Sequence, residues 1–423
     1  MRVLNRQRRR CFTLMLVACA LPFPGEAHLP EYFGRRYVLV DDSPRPPPED
    51  PCRGKRASLR RDAEALRKRL EDRQREEGAY SVVTADPLGE LGGLYASQCN
   101  HPAALKAHRQ TIQLLRINEG LLTPSQIPYL KSMADSSQAI GDFESAQLTL
   151  RYVFRIHGMG LGDLSRVAID DALAYFRRAR EIFIDPTSPA DIDLFVQAYE
   201  DNRAMYEAQV EDAGSTPRIS YPDRRAIALS HLYNLYMLLG TDLDRYGGGA
   251  DAGGARWDFL QRMQLLAYSQ GVDIVDGLIE DPDAQDPGEQ ARLLLQRGNW
   301  QQWNGKWQSA CDSLEEAWGA ASGEAGAKVR EQLSQPAELP EDPALWDYLL
   351  GPDIAVLAEV SAGFRVSARG VVSRVEGGVV DDANPALGGR VLRWLRDSHM
   401  RPAVRDGACV AAELPARRYR LLD

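Results

Sequence analysis

The sequence has few of the residues and motifs from which catalytic and metal sites are built. Its six histidines are scattered along 423 residues, and the nearest pair, His101 and His108, has no acidic residue at ligand spacing. No Cys-x-x-Cys occurs, no serine lies in a nucleophile-elbow motif, and no His–Asp combination indicates a triad. We therefore expect neither a metal nor a cofactor, and we expect that the protein is not an enzyme.

The sequence also lacks the excess of basic residues that nucleic-acid binding requires. The formal net charge is −9. The arginine-rich last part of the chain, from Ile354 onward, is mildly basic, so the rest is more acidic still. This balance argues against a nucleic-acid partner, because binding to phosphates needs a basic footprint.

No apolar run is long enough to cross a membrane, including the one near the N-terminus. Arg6 and Arg8–Arg10 form a positive segment that precedes the apolar run Cys11–Leu21. A membrane-spanning helix needs about 20 apolar residues, so the run is too short to be one. A short apolar run behind a positive segment is typical of a signal peptide and predicts export to the periplasm.

Two kinds of signal processing fit the residues after the apolar run. Small residues at Gly25 and Ala27 predict a signal peptide of residues 1–27, cut before His28. Leu16–Cys19 also fits a lipobox, which would make Cys19 a lipidated N-terminus. Contact with a membrane is expected only in the second case, as an outer-membrane lipoprotein anchored through Cys19.

Four cysteines follow the signal peptide, and they allow three pairings. Cys52 precedes one predicted helix and Cys99 closes the next, so an antiparallel hairpin would bring the two together. We therefore consider a Cys52–Cys99 disulfide. The positions of Cys311 and Cys409 suggest no zinc site.

The remaining motifs with a chemical interpretation are weak. Gly158–Gly162 follows a predicted helix rather than a strand and is expected to be a loop between helices, not a phosphate site. The acidic pairs Asp170–Asp171 and Asp381–Asp382 are neighbours in sequence and point apart on a helix or strand. We expect them to be solvated.

Three segments share a pattern of large and small residues that predicts pairs of closely packed helices. In such a unit two antiparallel helices approach closely where glycine and alanine replace larger side chains. The matching positions are Leu88, Leu91, Gly92, Tyr95 and Ala104 in one unit, Gly141 and Ala146 in a weaker one, and Leu294, Gly298, Ala310, Leu314 and Ala317 in a third. The pattern resembles that of tetratricopeptide (TPR) proteins, and this resemblance implies a solenoid of helical repeats over residues 57–335, after an extended linker at 28–56.

Trp300, Trp303 and Trp307 place three indoles on one helical face, at i, i+3 and i+7. They could line a groove that holds a peptide. Alternatively, they fill the contact between adjacent helices, and we favour this packing role.

The end of the chain predicts a small α+β domain over residues 354–423. Val360, Ala362, Phe364 and Val366 alternate with polar or small residues, as in a half-buried strand. A second strand, a helix containing Trp394, and a hairpin at Asp406–Gly407 follow.

This order of elements resembles the C-terminal domain of the TonB family. The motif residues are Trp394, Arg401, Pro402, Ala403, Asp406 and Gly407. The resemblance implies a small sheet whose edge could accept an extended peptide strand; alternatively, the edge packs on neighbouring helices or on a second copy in a homodimer.

Together these patterns predict a mostly α protein, with TPR-like repeats followed by a TonB-like α+β domain. We expect an exported scaffold or adaptor of the cell envelope whose partners are envelope proteins or peptides. The alternatives are a regulatory accessory subunit of a cell-wall or outer-membrane enzyme system, or an enzyme with a site in the middle region.

Overall fold

The computed structural model describes residues 37–39, 56–162, 164–184, 192–210, 219–240, 255–341, 356–379, 385–398 and 400–422. Within these ranges the chain is mostly helical, with a small region of strands at the C-terminus. The predicted class, mostly α with a small strand region, is therefore confirmed. No helix in these ranges has the length and apolar character needed to cross a membrane.

Thirteen α-helices lie within the described ranges. They are α1 (Arg56–Glu77), α2 (Ala85–Ser97), α3 (His101–Glu119), α4 (Ile127–Ala139), α5 (Phe143–Ile156), α6 (Arg166–Ile184), α7 (Ile192–Val210), α8 (Tyr221–Leu239), α9 (Ala255–Ile279), α10 (Pro287–Trp303), α11 (Trp307–Ala320), α12 (Gly323–Leu333) and α13 (Pro385–Asp397).

Helices α2 and α3 pack as a hairpin with a close contact at Gly92. A Cβ atom at Gly92 would lie 2.5 Å from the ring of His108, so only glycine allows this approach. Asn100 caps α3, because its side chain accepts a hydrogen bond from Ala103 N at 3.4 Å. Ala104 is fully buried at the start of α3. Small residues thus occupy the helix contact, as the spacing predicts.

Two further hairpins also contain small residues, in the turn and at the start of the second helix in one, and at the helix contact in the other. Gly141 has a φ of +80° in the turn between α4 and α5, and Ala146 is buried in α5. In α10, a Cβ atom at Gly298 would lie 2.6 Å from the Leu314 side chain of α11. The other large or small residues of the predicted units that are buried are Leu88, Leu91, Leu294, Ala310 and Ala317, and Tyr95 is partly buried.

Eight strands lie in the described ranges. They are β1 (Tyr37–Leu39), β2 (Ala337–Glu338), β3 (Val356–Val366), β4 (Val372–Val379), β5 (Met400–Arg401), β6 (Ala403–Arg405), β7 (Ala408–Val410) and β8 (Ala412–Leu422). The main sheet has the order β1-β8-β3-β4 and is antiparallel, while β2 pairs with β5 and β6 with β7.

The C-terminal elements follow the predicted order of two strands, a helix and further strands. Val360, Ala362, Phe364 and Val366 are all at most 2% exposed, so one face of β3 is buried as its alternation predicts. The β6–β7 turn has positive φ at both Asp406 and Gly407, as expected for a tight hairpin.

One hydrophobic cluster joins the C-terminal strands to helices α8–α10. It contains Trp303 of α10, Phe364 of β3 and Tyr419 of β8, all nearly inaccessible to solvent. The β6–β7 hairpin lies instead against α11 and α12. We call residues 356–422 the tail; it shares its core with the helices.

Candidate functional site, a groove between three helices

An open groove of about 700 Å³ lies between α3, α4 and α5. Each helix contributes residues that share one face, at spacings of three and four. The lining residues are Arg109, Ile112, Gln113, Arg116 and Ile117 of α3, Leu121 of the following loop, Leu130, Met133 and Ser137 of α4, and Ser145, Leu148, Thr149 and Tyr152 of α5. This groove was not predicted from the sequence, although the spacing of its residues on α3 is regular.

The groove has a buried floor and exposed apolar walls. Ile112 and Leu130 are each 4% exposed at the floor. By contrast, Ile117, Leu121 and Leu148 are 57%, 69% and 47% exposed. Large apolar side chains that line a concave surface and remain exposed are typical of a binding site.

A hydrogen-bonded cluster fixes one end of the groove. Arg116 donates from Nε to Gln126 Oε1 at 3.0 Å, and its guanidinium lies 4.7 Å from the centre of the Tyr152 ring. The Tyr152 hydroxyl and the Gln126 amide both donate to the backbone oxygen of Leu121. The loop that carries Leu121 is therefore held against α5.

The groove carries positive charge and no negative charge. Arg109 and Arg116 line it, and none of the lining residues is acidic. The groove can bury apolar side chains and hold anionic groups.

The three tryptophans do not form such a groove. Trp300 and Trp303 are fully buried, and each meets the edge or face of Tyr236. Trp300 Nε1 donates to the backbone oxygen of Tyr268 at 3.0 Å. The groove interpretation of these two residues is wrong, because α8, α9 and the tail cover that helical face. Trp307 is 37% exposed, and the guanidinium of Arg369 lies 4.6 Å from its ring centre.

A buried His–Asp pair lies where the sequence suggested solvated acids. Asp171 is 6% exposed, forms an ion pair with Lys131, and lies 3.2 Å from His157 Nε2. The expectation of solvation is thus wrong for Asp171, because helix α6 turns it toward α4 and α5. Asp170 points outward and pairs with Arg166, as expected.

A second polar network lies between α6, α7 and α8. Arg180 donates from Nη1 to Asn234 Oδ1 at 2.7 Å and to Ser230 Oγ at 3.2 Å. Asn202 Nδ2 also donates to Ser230 Oγ, at 2.9 Å. Both neighbours donate to the hydroxyl, whereas activation of a serine nucleophile needs a neighbour that accepts its proton. The network joins the three helices.

Cys311 of α11 and Cys409 of β7 form a disulfide with a Cα–Cα distance of 6.0 Å. With Glu315 they are the one group in the described ranges whose ligand atoms lie close enough for a metal ion. The disulfide occupies both sulfurs, and Glu315 accepts a hydrogen bond from Cys409 N at 3.0 Å. The group therefore links the tail to α11.

Cys99 is also disulfide-bonded. Its predicted partner, Cys52, lies outside the described residues, so the pairing stays a prediction. Cys19, Asp381 and Asp382 lie outside them as well. Gly158–Gly162 falls between α5 and α6, as expected for a loop between helices.

The motif residues of the tail serve its packing. Arg401, Pro402 and Ala403 are buried, Trp394 is partly buried against the shared core, and Asp406 and Gly407 form the turn described above. One edge of the sheet is occupied: β1 pairs with β8, with Tyr37 opposite Leu421. β1 pairs only with Tyr419–Leu421 of β8, so an incoming strand would have to displace β1 to pair with that part of β8.

Compared with known proteins, the chain matches no family model and has no significant match among curated proteins.

Proposed function

We propose that this protein is an exported scaffold of the cell envelope that binds a segment of another protein in the α3–α4–α5 groove. In this proposal the helical hairpins form a TPR-like array, and the tail is a TonB-like domain that is fused to the array. The observation that carries the proposal is the groove, with Ile117, Leu121 and Leu148 exposed above a buried floor.

Two further observations support parts of the proposal. The small residues Gly92 and Gly298 lie at helix contacts, as the TPR resemblance implies. The Cys311–Cys409 disulfide supports an oxidising compartment, because disulfides persist mainly in exported proteins.

The experiment is photo-crosslinking from the groove in the native cells. Gln113, an exposed lining residue, is replaced by p-benzoylphenylalanine, and Glu324 of α12, with a 92% exposed side chain, serves as the control site. We expect an adduct with another protein from position 113 that Leu148→Glu abolishes, and none from position 324. Equal adducts from both sites, or none from position 113, would contradict the proposal.

A further inference from the structure

We propose that the segment bound in the groove is an acidic amphipathic helix. Its carboxylates pair with Arg109 and Arg116, and its apolar face covers Ile117, Leu121 and Leu148. This inference rests on the proposed function and adds the chemistry of the partner.

The arginines of the groove contrast with the rest of the molecule. The chain has a net charge of −9, yet the lining holds two arginines and no carboxylate. Arg224 and Arg297 elsewhere are each paired with two acidic residues. Within the described part of the chain, the guanidinium of Arg109 forms neither an ion pair nor a hydrogen bond. Its exposed charge is available to an anionic partner.

Arg116 is positioned for the same task. Its Nε donates a hydrogen bond to Gln126, and its guanidinium lies over the Tyr152 ring. The two terminal nitrogens have no hydrogen-bond partner within the described ranges. A guanidinium held in this way loses little freedom when it binds a carboxylate.

The walls of the groove favour a helix over an extended strand. A bound strand gains affinity from main-chain hydrogen bonds to a sheet edge. The backbone groups of α3 and α5 are used within their own helices, so a bound segment must satisfy its own backbone, as a helix does. Arg109 and Arg116 are seven residues apart, about 10 Å along α3. Carboxylates seven residues apart on a helix aligned with α3 match this spacing.

The concave shape favours a protein segment over a membrane surface. Ile112 and Leu130 form a floor that a flat bilayer cannot reach, whereas side chains of a helix can. Anionic vesicles are therefore included in the test as the other source of negative charge.

The test uses the full chain and a capped, fluorescently labelled helical peptide. The peptide has leucines on one face and glutamates seven residues apart; a matched peptide has lysines in place of the glutamates. Fluorescence anisotropy is measured with wild-type protein, Arg109→Glu, and the control Lys68→Glu, an exposed charge on α1 outside the groove. Sedimentation with phosphatidylglycerol vesicles is measured in parallel.

We expect the glutamate peptide to bind wild type and Lys68→Glu equally and Arg109→Glu at least about fivefold more weakly, since attraction becomes repulsion. The lysine peptide should prefer Arg109→Glu. Both differences should shrink at high salt. The inference is overturned if wild type binds both peptides equally or binds neither. It is also overturned if Arg109→Glu loses binding to vesicles and no peptide binds. Adducts from position 113 that are undiminished in Arg109→Glu would contradict the acidic partner and leave the proposed function standing.

Discussion

Arg401 donates from Nη2 to Glu341 Oε1 at 3.0 Å and from Nε to Glu341 Oε2 at 3.3 Å. The same Nη2 donates to the backbone oxygen of Gln332 at 2.9 Å, and Asn299 of α10 donates to Glu341 Oε2 at 3.3 Å. Arg401 is 1% exposed. The pair therefore joins β5 of the tail to α10 and to the end of α12, with Arg401 buried and Glu341 partly buried.

Replacing Glu341 with alanine should lower the free energy of unfolding by about 3 kcal/mol, because the buried Arg401 charge loses its carboxylate. Urea unfolding of the full chain measures this change. The control is Glu316→Ala, whose 59% exposed carboxylate pairs with Arg297. This control should lower the free energy of unfolding by about 1 kcal/mol or less. Equal losses of unfolding free energy in the two variants would show that the Arg401–Glu341 pair stabilises the protein no more than an exposed ion pair does.

The Cys311–Cys409 disulfide closes a loop with a sequence separation of 98. Its removal frees the unfolded chain, so Cys311→Ser should lower the free energy of unfolding by roughly 2–5 kcal/mol. Cys409→Ser and the double variant should show the same loss, because each removes the one bond. Peptide mapping without reductant checks the linkage directly, and alkylation of both thiols in the native protein would refute it.

Gly92 and Gly93 are adjacent in α2 but differ in the space available for a side chain. A Cβ atom at Gly92 would lie 2.5 Å from the buried His108 ring, while one at Gly93 has no neighbour within 4 Å. We expect Gly92→Ala to lower the melting temperature. Gly93→Ala should raise the free energy of unfolding by up to about 1 kcal/mol, because alanine favours the helix. Stabilisation by both substitutions would mean that α2 and α3 do not pack through Gly92.

His231 should make the protein less stable in acid. Burial lowers the pKa of His231 from 6.5 to about 3, and Arg203 and Arg180 act in the same direction. Below pH 6.5 the unfolded chain binds a proton at this residue that the folded protein excludes until about pH 3. Stability therefore falls as the pH falls through this window, by at most about 1.4 kcal/mol per pH unit.

Urea unfolding between pH 7 and pH 5 checks this expectation. His231→Gln removes the titrating group, so its stability should depend less steeply on pH than that of wild type. The comparison concerns the slope, since the substitution also changes packing. His108, whose pKa is likewise lowered by burial, is kept in both proteins. Parallel pH profiles would contradict the prediction.

Local signals predicted much of the tail. The alternation along β3 and the Asp-Gly turn depend on neighbouring residues, and the structure has both where they were expected. The small residues at Gly92 and Gly298 also pointed to close helix contacts, because such contacts need a missing side chain.

Features that depend on distant elements could not be predicted in this way. Trp300 and Trp303 share a face with Trp307, but only the packing of α8, α9 and the tail decides which indoles are covered. Asp171 forms an ion pair with Lys131, which is 40 residues away in the sequence. The groove face of α3 mixes arginine, glutamine and isoleucine, a composition that also fits an ordinary solvated helix.

The hydrophobic cluster that contains Trp303, Phe364 and Tyr419 has a consequence for how the chain can be divided. A fragment cut between α12 and β3 would expose Phe364 and Tyr419 on one piece and the indole of Trp303 on the other. The two pieces should therefore aggregate when produced separately, and the intact tail and helices α8–α10 should melt in a single calorimetric transition.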